Sequence, residues 1–336
     1  MFSGISTAHK IGLISQLRLI RAEVKQFFMQ ELRPEYRYTN FLHPKYWGNW
    51  LLIGLMYLVS FLPYKSKQKL GAWLGIRLYK LGGSRYKTAR GNIKACFPEL
   101  SDDEQEQLIR ETFVSNAIGY IENTIGWWRP LEPYFEKLEV HGRDHLDEAL
   151  GRGKGVLLVG GHFSIMDFAG PLVHHITTFN YMYRPQNNKL LDAFIERHRR
   201  RYSYKKFTKR ELHDMNAFIK EGNLVWYGPD QDVGVGPKRG IFAPFFGVPA
   251  ATLTTPAWIA RETGCTVLQI SQFREKDGVY SVHFSPILEE FPSDDELENA
   301  TRINKGLEDA IRIHPEQYLW LHRRFKTRPE GEPSIY

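Results

Sequence analysis

Cysteine is scarce: the 336 residues hold two, Cys96 and Cys265, far apart and without metal-type spacing. That excludes a disulfide-stapled scaffold and a cysteine metal centre, and two reduced thiols fit a domain that faces the cytoplasm. Acid is in shorter supply than base, with 38 Asp and Glu against 45 Lys and Arg. The surplus suits an anionic membrane surface, a phosphorylated substrate or nucleic acid, without choosing among them. No internal repeat or low-complexity tract is present. The length allows one large domain or two modest ones.

Residues 1–40 lack the charged-then-apolar segment and small-residue cleavage site of a signal peptide. Instead Ile11, Ile14, Leu17, Ile20, Val24 and Phe28 are interspersed with Lys10, Arg18, Arg21 and Lys25. This basic amphipathic extension either lies among the headgroups of an anionic membrane or packs on the main domain. One long uncharged run follows, the 17 residues from Tyr46 to Leu62, ended by Pro63. Trp47, Trp50 and Tyr57 suit a membrane interface, and Lys65, Lys67 and Lys69 follow on the cytoplasmic side. Residues 41–65 therefore read as a membrane anchor helix, either spanning, at the lower limit of length, or half-inserted; a buried core helix is the alternative.

Residues 66–336 form the main domain. Ser101-Asp-Asp-Glu104 is a capping box opening a long amphipathic helix toward Trp127 and Trp128, aromatics that either line an apolar groove or pack in the core. Beyond Leu138–Val140, strands at Val156–Val159, Thr178–Tyr183, Leu224–Tyr227, Cys265–Ser271 and Val279–Ser285 alternate with helical segments near 163–175, 189–200, 210–221, 254–263 and 295–313. That alternation predicts an α/β layered domain, its largely parallel central sheet flanked by helices and preceded by the anchor helix.

The chain is organised around Gly155-Val-Leu-Leu-Val-Gly-Gly-His-Phe-Ser-Ile-Met-Asp167, which reads as buried strand, tight turn and helix. The glycines let His162 sit just before the helix, where its ring can turn toward Asp167. A carboxylate on one imidazole nitrogen fixes the tautomer and stabilises the imidazolium formed when the other takes a proton. No Ser or Cys nucleophile stands at a strained elbow, so direct attack by a substrate hydroxyl fits better than a covalent enzyme intermediate. A capped, hydrogen-bonded structural histidine is the plainer alternative.

Other polar groups fall at strand ends, where open α/β sheets gather reactive residues. Arg184, held extended by Pro185, can grip a phosphate or carboxylate or form a structural salt bridge. Arg197 to Arg210 carries eight Lys or Arg and no acid, which favours an anionic headgroup or acidic carrier over a merely solvated face. Asp230 and Asp232 lack further ligands and make a poor metal site, so no metal is assigned. Asp230 suits positioning of sugar hydroxyls or of Arg184, or capping of the Gly-rich turn that follows. His322–Arg328 is a second basic cluster without a recognition-module pattern, and nucleic acid is not expected.

His-x4-Asp after an apolar strand resembles the signature of the glycerolipid acyltransferases. Together with Tyr183–Asn188, Val225–Asp232, Phe242–Thr252 and above all Pro315–Pro333, the chain from Phe41 to Tyr336 resembles the late acyltransferases of lipid A biosynthesis, nearest the lauroyl transferase branch. The resemblance makes 66–336 an acyltransferase domain. It implies transfer of a fatty acyl chain from acyl carrier protein, without a further cofactor, to a hydroxyl of a Kdo-bearing tetra-acylated lipid A precursor. The setting would be the cell inner membrane, single-pass or monotopic, with the catalytic domain facing the cytoplasm. His162 and Asp167 become the catalytic pair, Arg199 a functionally important arginine and Asp230 an active-site residue. Where this chain has Asp167 the family often carries Glu, a departure that leaves the chemistry standing but not every detail of geometry. A different lipid acceptor, such as a lysophospholipid, and a non-catalytic membrane-tethered binding protein are the other readings.

Overall fold

Among the described residues, four long helices and a short fifth precede the sheet in the computed structural model, which describes residues 36–336 apart from 204, 237 and 238. The expected amphipathic extension therefore lies, up to residue 35, outside the described residues. The helices are α1 (Trp47–Val59), α2 (Tyr64–Leu81), α3 (Gly83–Cys96) and α4 (Asp102–Trp128). After a short α5 (Glu132–Phe135) come β1 (Leu138–His141), α6 (Arg143–Gly151), β2 (Val156–Gly160), α7 (Met166–Ile176), β3 (Tyr181–Met182), α8 (Lys189–Arg199), β4 (Lys206–Phe207), α9 (Leu212–Lys220) and β5 (Leu224–Tyr227). A hairpin, β6 (Gly240–Phe245) and β7 (Val248–Leu253), precedes α10 (Thr255–Thr263), β8 (Thr266–Arg274), β9 (Tyr280–Phe284) and α11 (Glu296–Ile313).

The main sheet has the order β1-β9-β8-β2-β5-β3-β4. Every neighbouring pair is parallel except β8 with β9, so the α/β expectation holds. Burial on both faces explains the unbroken apolar run of β2. Leu157 and Val159 pack with Ile219, Val225 and Ile259 on one face, while Val156 and Leu158 pack with Leu146 and Val173 on the other. The hairpin and the two-residue β4 were not foreseen from the sequence. Pro244 and Pro249, which face each other across the hairpin, remove the ladder donors by which a strand is ordinarily recognised.

Three N-terminal expectations meet different outcomes. The capping box is present: Ser101 Oγ accepts from Glu104 N, and the Glu104 carboxylate accepts from Ser101 N at 2.8 Å. Trp127 packs edge-on against Phe194 of α8 and against Trp128, and Trp128 lies tilted on Phe194; both also line a cavity with Trp50, Ile53 and Tyr57, so packing and groove-lining both describe them. The spanning form of the anchor is corrected, because α1 has 13 residues and reaches about 20 Å, short of the roughly 30 Å hydrocarbon core. Among the described residues no helix is long and apolar enough to cross a membrane. Instead α1 buries Ile53 inward and leaves Leu51, Leu52, Leu55 and Leu58 exposed. Lys67 is no free cytoplasmic cation either: it is buried, and its ammonium donates to the Ser60 and Leu62 carbonyls just beyond α1.

Helices α2 and α4 touch through Gly71 and Gly75, one turn apart on α2. A Cβ at Gly75 would stand 2.5 Å from Val114 Cα and 2.7 Å from the Phe113 carbonyl oxygen, with backbone on both sides and no room to yield. Gly75→Ala is therefore expected to destabilise the protein by about 1–3 kcal/mol through overpacking, read as a lowered denaturant midpoint. Gly54→Ala, where a Cβ meets nothing within 4 Å, should leave the midpoint in place or raise it.

Candidate active site

Because β2 lies between β5 and β8, the chain segments leaving β2 and β5 emerge side by side at the carboxyl edge of the sheet, where such sheets bind ligands. His162 follows β2 and Asp230 follows β5. One Asp230 carboxylate oxygen lies 2.5 Å from His162 Nδ1. The other accepts from the His162 backbone N–H at 2.9 Å and from the Tyr318 hydroxyl at 3.1 Å. Nδ1 is thus the protonated nitrogen, leaving Nε2 as the basic one. Burial would depress the imidazole pKa, but the Asp230 charge and hydrogen bond outweigh it and hold the pKa above its ordinary value. Burial likewise favours a protonated Asp230, yet the pairing with His162 keeps its carboxyl well below the usual range.

Small residues make the seat for this pair. A Cβ at Gly228 would stand 2.7 Å from the Trp226 ring and 3.1 Å from His162 Cε1; one at Gly160 would stand 2.5 Å from Trp226 Nε1. With both absent, the imidazole rests edge-on against Trp226, centroids 6.0 Å apart. A C-terminal strap fixes the turn from outside: Leu319 N donates to the His162 carbonyl at 3.0 Å and Ser164 N to the Gln317 carbonyl at 2.7 Å. Gln317 is itself pinned, its amide bonding Arg274 N and O, each at 2.9 Å.

Asp167 stands in the first turn of α7, facing the same cavity, but its carboxylate pairs with Arg199 at the end of α8. The Arg199 guanidinium lies over the rings of Tyr181 and Tyr183, 5.3 and 5.4 Å from their centroids. The cavity they share holds about 470 Å³ and is walled by His162, Asp167 and Arg199 together with apolar Met166, Val173 and Phe179. It opens beside the exposed segment 184–187, so Arg184 stands at its rim. The His162 ring and an apolar wall thus border one space.

Similarity to known proteins bears on which chemistry this is. The sequence profile of the bacterial lipid A biosynthesis acyltransferases matches residues 35–327. The chain belongs to that family, and it is an O-acyltransferase. It is 36% identical over 300 residues to the lipid A biosynthesis lauroyltransferase of Escherichia coli K12, covering 89% of this chain and 97% of that one. The palmitoleoyltransferase of the same organism is 35% identical over 306 residues, covering 90% and 99%, and its myristoyltransferase 28% over 316, covering 91% and 95%. A solved 1-acyl-sn-glycerophosphate acyltransferase from Thermotoga maritima, 15% identical, covers 68% of this chain and 95% of its own with a TM-score of 0.35, too low a likeness to carry weight.

In this acyltransferase His162, Asp167, Arg199 and Asp230 come together as a group, while the pairing expected from the motif is corrected. The imidazole's partner is Asp230; Asp167 is held by Arg199 and acts on His162 only through space. Turn capping, the alternative role for Asp230, is taken instead by Asp232, which accepts from Gly234 N, Thr327 N and Thr327 Oγ1. Tyr318 was missed, its only signal being its place in the terminal matching stretch. Much of the Arg197–Arg210 charge is spent internally: Arg200 and Lys206 pair with Glu196, and Arg201 donates to the Trp127 carbonyl. In the second basic cluster Arg324 is buried against the Ala251 carbonyl and Thr252.

The two carboxylates separate experimentally. Asp230→Asn removes the charge that raises the His162 pKa, so the acidic limb of kcat/KM should move to lower pH while kcat falls about 10⁴-fold, the scale for an imidazole deprived of its orienting carboxylate. Asp167→Asn should cost less and shift the limb less. A pH–rate profile in which Asp167→Asn moves the limb and Asp230→Asn does not would restore the assignment first read from the sequence.

Proposed function

We propose that the enzyme transfers a fatty acyl chain, lauroyl or close to it, from acyl carrier protein to a hydroxyl of a Kdo-bearing tetra-acylated lipid A precursor at the cytoplasmic face of the inner membrane. The observation that carries the reading is the single cavity holding both the basic Nε2 of His162 and an apolar wall. His162 takes the acceptor hydroxyl's proton as the oxygen attacks the thioester carbonyl, and Asp230 stabilises the imidazolium that forms. When the tetrahedral intermediate collapses, the carbon–sulfur bond breaks and the proton passes to the carrier's thiolate. Arg199, neutralised by Asp167, shapes the cavity beside them. The volume of about 470 Å³ sits within the roughly 300–1,000 Å³ of ligand pockets. Arg184 at the rim suits a phosphate or carboxylate of the acceptor, and the basic surplus suits an acidic carrier. The relatives named above are a lauroyl-, a palmitoleoyl- and a myristoyltransferase, so donor chain length varies within this scaffold.

Membrane contact in this reading is monotopic. Trp47, Leu51, Leu55, Leu58 and Phe61 on and around α1, with Trp73 and Leu78 of α2, are exposed, and apolar patches of that kind mark interaction surfaces. They would dip into the interface without crossing it.

Two experiments test these statements. Acyl carrier protein thioesters of C10 to C16 are offered with the Kdo-bearing precursor or with a lysophospholipid, and product mass is read for wild type and His162→Ala. Transfer of a narrow range of chains to the precursor, lost in His162→Ala, is expected; transfer to the lysophospholipid alone, or undiminished transfer by the variant, would sink the reading. Leu55→Glu with Leu58→Glu should reduce sedimentation with anionic vesicles while leaving turnover of detergent-dispersed substrate intact, and unchanged sedimentation would remove α1 from the membrane surface.

A further inference from the structure

A glutamine stands in the cavity without a partner. Gln272 of β8 is 4% exposed and lines the same space as His162. Several buried amides are used by the fold: Asn92 bonds the Trp320 and His322 carbonyls, Asn180 the Leu224 carbonyl, Gln269 the Ile303 carbonyl and Gln317 the Arg274 backbone; Asn123 and Asn216 leave their Oδ1 without a partner, but neither lines this cavity. Among the described residues no group hydrogen-bonds the Gln272 side chain. Buried polar groups are ordinarily satisfied, and this free amide lines the cavity of a catalytic base, where a bound ligand can meet it.

Register says where that amide stands. β8 runs parallel to β2 with Ile270 opposite Gly160. Gln272 lies two residues past Ile270, on the same face by strand alternation, as His162 lies two residues past Gly160. Both are at the carboxyl edge, on either side of β2's end: His162 leans on Trp226 of β5, and Gln272 belongs to the opposite neighbour. A scissile carbonyl between them would meet the base's hydroxyl from one side and an N–H donor from the other.

Three other donors around this turn are spent. The His162 N–H is given to Asp230, the Ser164 N–H to the Gln317 carbonyl and the Arg199 guanidinium to Asp167. We infer that Gln272 donates its Nε2–H to the oxyanion that forms as the acceptor oxygen adds to the thioester carbon. The carbonyl π pair moves onto that oxygen, the C–O bond is made, and on collapse the pair returns as the C–S bond breaks, with the His162 proton going to sulfur. Donors aimed at such an oxygen are worth about 10²–10³-fold in kcat.

This rests on the acyl-transfer reading, and the test keeps the two apart. Wild type, His162→Ala, Gln272→Leu and the near-isosteric Gln272→Glu are compared for kcat, for its pH dependence and for binding of a non-reactive alkyl thioether of acyl carrier protein. Gln272→Leu should lose about 100-fold in kcat while thioether affinity and the acidic limb stay in place, because the lost contact forms only in the transition state. Gln272→Glu, which places negative charge beside the oxyanion, should lose at least as much. Turnover of both variants within about threefold of wild type, or thioether binding lost in parallel with kcat, would overturn the assignment and make Gln272 a wall residue. Wild type that transfers no acyl chain would instead overturn the acyl-transfer reading.

Discussion

The buried carboxylate of Asp230 is the contact on which the rest depends. It accepts from the His162 ring, the His162 backbone and the Tyr318 hydroxyl, joining the segment after β2, the segment after β5 and the C-terminal strap. A carboxylate removed from water must be paired and hydrogen-bonded to remain ionised. Once it is, its partners are fixed in turn: the tautomer of His162, the path of the turn after β2 and the seat of the strap. Glycines at 160 and 228 follow from the same requirement, since a side chain at either would push Trp226 or the imidazole away.

The architecture was legible from sequence because the layers of an α/β domain write themselves as alternating apolar runs and amphipathic stretches. The helix read near 189–200 is observed as Lys189–Arg199, and the strand read as Leu224–Tyr227 is observed with the same bounds. What stayed hidden was spatial order. That β5 lies directly beside β2 is set by chain crossovers, so a residue 68 positions away could not be seen to stand nearer His162 than one five positions away. The local reading also placed the helix too early. It begins at Met166 rather than at 163, and the intervening residues carry His162 toward β5 and leave Asp167 to Arg199.

Charge and hydropathy were legible in amount but not in use. A run of eight cations suggested one continuous anion-binding face, yet Arg199 turns into the cavity while Arg200 and Lys206 share Glu196. Helical geometry separates Arg199 from Arg200 at the end of α8, because successive residues point about 100° apart, and the chain then leaves the helix, so that Lys206 approaches Glu196 from β4. The apolar run after Tyr46 divides similarly: Ile53 faces the protein and Leu51, Leu55 and Leu58 face out. Composition alone does not distinguish a spanning helix from a short one lying on a surface; the break at Ser60–Pro63 does.

Two ion pairs at one cavity raise the question of what the second accomplishes. Asp230 raises the basicity of His162, but a lone carboxylate beside a cleft repels the negative charge that builds on the attacked carbonyl. An unpaired Asp167 would add to that repulsion, and an unpaired Arg199 would oppose proton uptake by His162. Joined, they present a nearly neutral wall that disturbs neither event, with the guanidinium further settled over two tyrosine rings. The base is tuned from behind by Asp230, and the space in front of it is left to neutral groups. A neutral amide is the kind of donor such a wall accommodates, since it meets a developing oxyanion without shifting the pKa of the imidazole beside it.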